Sequence, residues 1–209
     1  MNRTLVIGSS GKIGKQLLPM LADSGIHIVA MVRDSHKLPK IKGVEVLQAN
    51  LEDEFEYAFK NCNRVIFSAG SGASTGLDKT LLIDLWGARK AIDYSIQHNI
   101  QHFVMVSSRG ADNPDHGPSA IKPYLVAKCF ADEYLEKSGV PYTILRPGRL
   151  TDDEGGGLIT TKRPTEEEMQ TISRLDTAKV IVRVLQNRSC INKIYELYKG
   201  DVPINSAIT

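Results

Sequence analysis

Long apolar runs are missing from this 209-residue chain. None approaches the ~18 residues that a membrane helix requires, which excludes a helical membrane span. Four apolar or glycine residues, Leu5 to Gly8, precede polar Ser9-Ser10, too few for the core of a signal peptide. Cysteine is scarce. Cys62, Cys129 and Cys190 are odd in number and far apart, so they build neither a disulfide framework nor a zinc pattern. They fit a reducing, cytoplasmic setting. An excess of one charge is also missing. Twenty-six basic against 24 acidic residues give a net charge of +2, with no basic run. That argues against nucleic acid or an anionic membrane as partner. The five histidines show no ligand spacing and no His-Glu-x-x-His occurs, so no metal site is expected. The Gly-x-Ser-x-Gly elbow of serine hydrolases is absent as well. With no internal repeat and no low-complexity linker, the expectation is one domain over residues 1–209.

What is present is a series of short β-branched runs. They are Leu5–Ile7, Ile26–Val32, Val44–Leu47, Val65–Phe67, Phe103–Val106, Tyr142–Leu145 and Ile194–Tyr198. Most are continuously apolar, the mark of strands covered on both faces of a parallel sheet. Helical periodicity lies between them over Lys12–Ser24, Leu77–His98, Tyr124–Ser138 and Asp176–Gln186. Asp176 is the expected N-cap of the last of these. Such alternation predicts an α/β, doubly wound parallel sheet built from βαβ units. Two stretches read as irregular, Gly110–Pro123 and Gly148–Pro164, and each follows a strand. Both should therefore lie over the carboxyl edge of the sheet, where ligands bind in open α/β folds. Thr165 before Glu166-Glu167-Glu168 reads as a capping box of a short helix. Trp86 reads as a packing residue.

The first strand runs directly into Gly8-Ser9-Ser10-Gly11-Lys12-Ile13-Gly14 and then a helix. The tight turn calls for Gly8, close approach to a diphosphate for Gly11, and helix packing for Gly14. The helix start offers free N–H groups and a positive dipole end to an anion. The triphosphatase P-loop does not fit, because Ser9 stands where its first glycine belongs and Gln16 where its hydroxyl belongs. At the end of the second strand, Arg33 stands where an NAD-selective site would carry an acid. A guanidinium pairs with a 2′-phosphate, so NADP is the expected cofactor and NAD the weaker alternative. Lys37 would reinforce it, while neighbouring Asp34 points the other way.

Tyr124-Leu125-Val126-Ala127-Lys128 sets a phenol and an ammonium one helical turn apart on one face. A nearby ammonium stabilises phenolate and makes the phenol a usable proton donor. Tyr195-x-x-x-Lys199 repeats the spacing but lies in an expected strand, whose geometry separates the two roles. Tyr124 also follows a strand ending in Ser107-Ser108. A strand-end hydroxyl followed by a Tyr/Lys helix suits carbonyl reduction, in which serine polarises the carbonyl and tyrosine delivers the proton.

In these residues the chain resembles the short-chain dehydrogenase/reductase superfamily, and within it the small atypical branch labelled NAD-dependent epimerase/dehydratase-like or NAD(P)-binding. The resemblance spans nearly the whole chain. It also takes in Asn50-Leu51-Glu52-Asp53, Ser68-Ala69-Gly70, Leu145-Arg146-Pro147-Gly148 and Ser173–Ala178. It implies a Rossmann fold, with the cofactor on Gly8 to Gly14, adenine near Asn50 and Leu51, and a backbone wall at Ser68, Ala69 and Gly70. The nicotinamide would lie near Ser107, Tyr124, Lys128 and Pro147. Tyr124, Lys128 and Ser108 would be catalytic, Ser108 matching the family's hydroxyl better than Ser107. Three features depart from the pattern. Asn50 replaces an aspartate, and Asp84 replaces a mid-helix asparagine. Only 62 residues follow Pro147, too few for the substrate domain of sugar-nucleotide epimerases. Substrate-side elements should fall mainly in 148–175. The reading is an NADP(H)-dependent oxidoreductase of a small carbonyl or quinone-like substrate, as a monomer or homodimer. The alternatives are a non-catalytic dinucleotide sensor, or a small epimerase or dehydratase with tightly held cofactor.

Overall fold

The computed structural model describes residues 3–72 and 75–209, so the start of the chain and part of the loop Gly72–Asp78 lie outside the described residues. In chain order the strands are β1 (Arg3–Ile7), β2 (His27–Val32), β3 (Val44–Gln48), β4 (Arg64–Phe67), β5 (His102–Val106), β6 (Tyr142–Pro147), β7 (Arg149–Thr151), β8 (Leu158–Thr160), β9 (Thr171–Ser173), β10 (Lys193–Lys199) and β11 (Val202–Pro203). The main sheet has the order β11-β8-β10-β6-β5-β4-β1-β2-β3. From β3 to β10 every pairing is parallel, and the continuous apolar runs form the buried central strands β1, β2, β4 and β5. The chain starts at β1, winds outward through β2 to β3, then returns to β4 on the other side of β1. The order therefore reverses between β1 and β4, and a crevice opens there at the carboxyl edge.

Alternation along each strand divides the core into two layers. Leu5, Ile7, Val65, Phe67, Phe103 and Met105 face one side, while Val6, Ile66, Val104 and Val106 face the other. Helices α1 (Lys12–Asp23) and α5 (Arg174–Gln186) cover the second side and pack on each other. The first side is covered by a rod of three segments and by α4 (Lys122–Lys137). The rod begins as α2 (Leu77–Lys79), loosens into a π-helical stretch over Thr80–Gly87, and ends as α3 (Ala88–Gln97). The sequence reads as one helix over this range. Apolar spacing does not report how tightly the rod is wound, and the wider winding redirects side chains in its middle. The short α6 (Ile204–Ala207) closes the chain.

The stretch read as irregular after Gly148 contains order. β7 pairs in parallel with β9, and β8 joins the edge of the main sheet antiparallel to β10. Three-residue strands are too short to show a period of two. The N-cap of α5 is Ser173, whose hydroxyl accepts from Asp176 N–H at 2.9 Å. Asp176 sits in the first turn instead, accepting from Gly156 and Gly157 N–H at 3.0 and 2.9 Å, and so ties down the preceding loop. The acidic run forms only a single 3-10 turn, Glu167–Met169, with no side-chain cap, so no capping box exists at Thr165. Trp86 is 47% exposed and carries the Arg89 guanidinium over its ring, so it is a surface residue.

His102 opens β5 with its imidazole buried against β6. Its Nε2 lies 2.8 Å from Thr143 Oγ1, and the Thr143 hydroxyl donates to the Cys190 carbonyl at 2.8 Å. That hydroxyl has no second proton, so His102 must be the donor of the pair. Burial, helped by the Arg64 charge, pushes its pKa down to about 4 from 6.5. Between these values the unfolded chain binds a proton that the folded chain refuses, so stability falls as pH falls through that window. The loss is of order 3 kcal/mol. Urea unfolding of wild type and His102→Gln at pH 7 and 4.5 checks this. The gap between the proteins should narrow or invert at the lower pH, whereas parallel losses would contradict the assignment.

Candidate functional site

The turn after β1 is dictated by contact between backbones. Gly8 has φ +93°, and a Cβ there would lie 2.5 Å from Ala69 N and 2.7 Å from Ser68 C at the end of β4. A Cβ on Gly14 would lie 2.5 Å from the carbonyl oxygens of Gly8 and Ser9, so α1 can start this close only without one. Ser9 turns inward and donates to Val6 O at 2.7 Å. Gly11, at the N-cap, is extended and supplies no side-chain cap, and no acid lies in the first turn of α1. The N–H groups there keep their positive field for a ligand.

A cavity of about 840 Å³ crosses the carboxyl edge above this turn. That is within the range of small-molecule and cofactor clefts. Gly8, Ser10, Gly11, Lys12 and Ile13 line its floor, with Ser68, Ala69 and Gly70 forming one wall. Arg33, Lys37 and Leu51 line the end near β2 and β3. Neither Arg33 nor Lys37 makes an ion pair among the described residues. Asp34 does not line the cavity, because its carboxylate caps the next turn by accepting from His36 N–H at 3.0 Å. Asn50 is likewise held away by its own loop, donating to Asp53 at 3.2 Å and accepting from Glu52 N–H at 3.3 Å.

Tyr124 and Lys128 stand at the opposite end of the same cavity. Pro123 lies in the first turn of α4, and the two side chains are one turn apart. The Lys128 side chain is 2% exposed; its Nζ lies 3.1 Å from Asp84 Oδ1, donates to Val106 O at 3.3 Å, and sits 5.7 Å from the centre of the Tyr124 ring. Burial alone would lower the Lys128 pKa. The Tyr124 oxygen and the Asp84 carboxylate more than offset it, and the pKa is raised. Asp84 comes from the π-helical stretch, and its other oxygen accepts from Ser71 N–H at 3.0 Å.

One turn beyond Lys128, Asp132 is buried. Its Oδ2 accepts from the Ser107 hydroxyl at 2.8 Å and from Arg146 Nε at 3.0 Å. Burial pushes its pKa up to about 6 in spite of the guanidinium. Ser107 lines the cavity; Ser108 does not, and its hydroxyl donates to Arg109 O at 3.2 Å. Pro147 is also away from the cavity, its carbonyl accepting from Arg109 N–H at 2.9 Å. Asp132 and Arg146 were not singled out from the sequence as site residues. The signal existed, since Asp132 continues the i,i+4 stripe of Tyr124 and Lys128.

Leu77, Ile83, Ile121 and Leu150 add apolar lining to the cavity. Asp152, just past β7, bridges Lys12 and Arg174 at 2.6 Å each, so the segment after β7 is fastened to the start of α1. Tyr195 lies in β10 with its hydroxyl on Thr209 O, away from this site. Among the described residues no cluster of three or more His, Cys, Asp or Glu is placed for a metal, and no helix is long and apolar enough to cross a membrane.

The sequence profile of the NAD(P)H-binding family matches residues 8–188. The uncharacterized sugar epimerase YhfK of Bacillus subtilis is 41% identical over 99% of this chain and 98% of its own. A Bacillus halodurans structure described as an NAD-dependent epimerase/dehydratase is 42% identical, with a TM-score of 0.94 over 100% of this chain and 99% of that one. The oxidoreductase ylbE of Lactococcus lactis is 28% identical, with a TM-score of 0.89 over 99% and 94% of the two chains.

The contact at Gly8 yields a test. Gly8→Ala combines a positive φ with a Cβ against the β4 backbone, and should lower the free energy of unfolding by about 2 kcal/mol or more. An unchanged urea midpoint would show that the turn is not held as described.

Proposed function

The chain belongs to the NAD(P)H-binding family, and from that premise we propose that it is an NADP(H)-preferring oxidoreductase acting on a small, uncharged carbonyl or quinone-like compound. The observation that carries this reading is the buried Lys128 ammonium beneath the Tyr124 ring, at the far end of the cavity from the glycine turn.

The residues present fit a dinucleotide. Glycines at 8, 11 and 14 and the bare start of α1 suit a diphosphate. Arg33 and Lys37, both free of carboxylate partners among the described residues, suit a 2′-phosphate. The reduced cofactor supplies hydride when bound. Tyr124 supplies the proton to the carbonyl oxygen. Lys128, held charged by Asp84, stabilises the phenolate left behind. Leu77, Ile83, Ile121 and Leu150 favour a flat apolar substrate and exclude water from it. Lys79 also lines this region, but Glu52 neutralises it at 2.7 Å, so among the described residues there no free cation awaits an anionic substrate.

The name of the Bacillus subtilis relative favours a second reading, an epimerase that returns hydride to the same molecule. Net consumption of NADPH in the presence of substrate separates the two, because an epimerase shows none.

Tyr124→Phe should bind NADPH as the parent does and lose about 10²–10⁴-fold in turnover. Turnover at the parental rate would remove Tyr124 from the chemistry. Arg33→Ala should weaken NADPH binding about 10-fold or more and leave NADH within about twofold, since only one carries the 2′-phosphate. Equal losses for both, by calorimetry, would count against NADP preference.

A further inference from the structure

A serine hydroxyl has one proton, and that of Ser107 is committed to Asp132 Oδ2 at 2.8 Å. Arg146 Nε holds the same oxygen at 3.0 Å from β6. Asp132 is 1% exposed, so water cannot replace either donor, and its Oδ1 has no hydrogen-bond partner among the described residues. Ser107 lines the cavity at the end of β5, where it retains only lone pairs. We infer that Asp132 is a positioning residue that fixes Ser107 as a hydrogen-bond acceptor toward the cavity. Ser107 then holds an N–H or O–H group of the ligand, and Tyr124 alone donates to the carbonyl oxygen. This assignment rests on the oxidoreductase reading above and inverts the donor role that a strand-end serine suggests.

The surroundings of Asp132 keep this polarity in place. Arg146 faces it from β6 and Ser107 from β5. Lys128 and Cys129 lie near it on α4 itself. Asp84, from the π-helical stretch, reaches it only through Lys128. On α3, Arg89 and Asp93 are engaged with Tyr134 instead. Burial dominates, and the carboxyl takes up a proton near pH 6. A protonated carboxyl can donate to Ser107 and release the serine proton toward the cavity. Asp132→Asn removes this switch: its amide oxygen takes the place of Oδ2, accepting from Ser107 and Arg146 at every pH.

The test follows NADPH oxidation with menadione from pH 5 to 8. In the wild type, kcat/KM should change by about tenfold through a limb near pH 6. Asp132→Asn and Ser107→Ala should each abolish that limb. A limb that persists in both variants, or none in the wild type, overturns the proposal; a side chain needed only for folding would lower the rate equally at all pH values. Carboxyl carbon NMR of the ligand-free protein gives a second measurement, with the Asp132 signal identified by its loss in Asp132→Asn. Ser107→Ala should raise its titration midpoint by about one pH unit, because the ionised carboxylate loses a donor. An unmoved midpoint overturns the pairing even where menadione is not reduced, whereas absent turnover with a moved midpoint counts only against the oxidoreductase reading.

Discussion

An ammonium group buried at 2% exposure must be neutralised on the spot or lose its proton, and much of this site follows from that constraint on Lys128. Asp84 at 3.1 Å provides the opposite charge, and the Val106 carbonyl accepts a hydrogen bond from the ammonium. Asp84 is itself inaccessible, so it too needs a second partner, which is the Ser71 N–H just after β4. One ion pair thereby joins α4, the π-helical stretch, the end of β5 and the loop after β4. All four meet where the cavity ends. The widened winding of the rod has a local purpose on this view, since it accompanies a carboxylate turned toward α4.

The other end of the cavity adds a steric constraint to the positive field of the α1 start and the charges of Arg33 and Lys37. β1 and β4 are neighbours with outward-going connections on opposite sides, so their ends leave room for a ligand only if the backbone itself stays thin. Gly8 and Gly14 provide that thinness against Ser68, Ala69 and Ser9. The glycine turn lies at one end of one trough and the phenol with its lysine at the other. The segment after β6 is small: β7, β9 and a loop fastened through Asp152 and Asp176, within the single domain.

The parts legible in the sequence were those governed by local rules. Continuous apolar runs gave the parallel strands, because burial on both faces leaves no room for polar alternation. The glycine turn was readable because only glycine fits the two close backbone approaches at Gly8 and Gly14. The Tyr124–Lys128 pair was readable because four residues make one turn. What escaped depends on distant partners. β7, β8 and β9 are three residues long and exist through pairing, not propensity. Ser107 and Ser108 are adjacent and chemically identical, and only strand alternation toward Asp132 decides which of them faces the cavity. Asp34 and Arg33 competed in the sequence for the same role, and the local turn took Asp34 away. Asp176 looked like a cap because it is acidic near a helix start, but Ser173 stands three residues earlier, where a capping hydroxyl reaches the free N–H.

The account stands on a dinucleotide lying across the β1–β4 crevice. Calorimetric titration of the wild-type protein with NADPH and with NADH measures that directly. One-site saturation, tighter for NADPH, is the predicted result; the absence of saturable heat from either at millimolar concentration would contradict it.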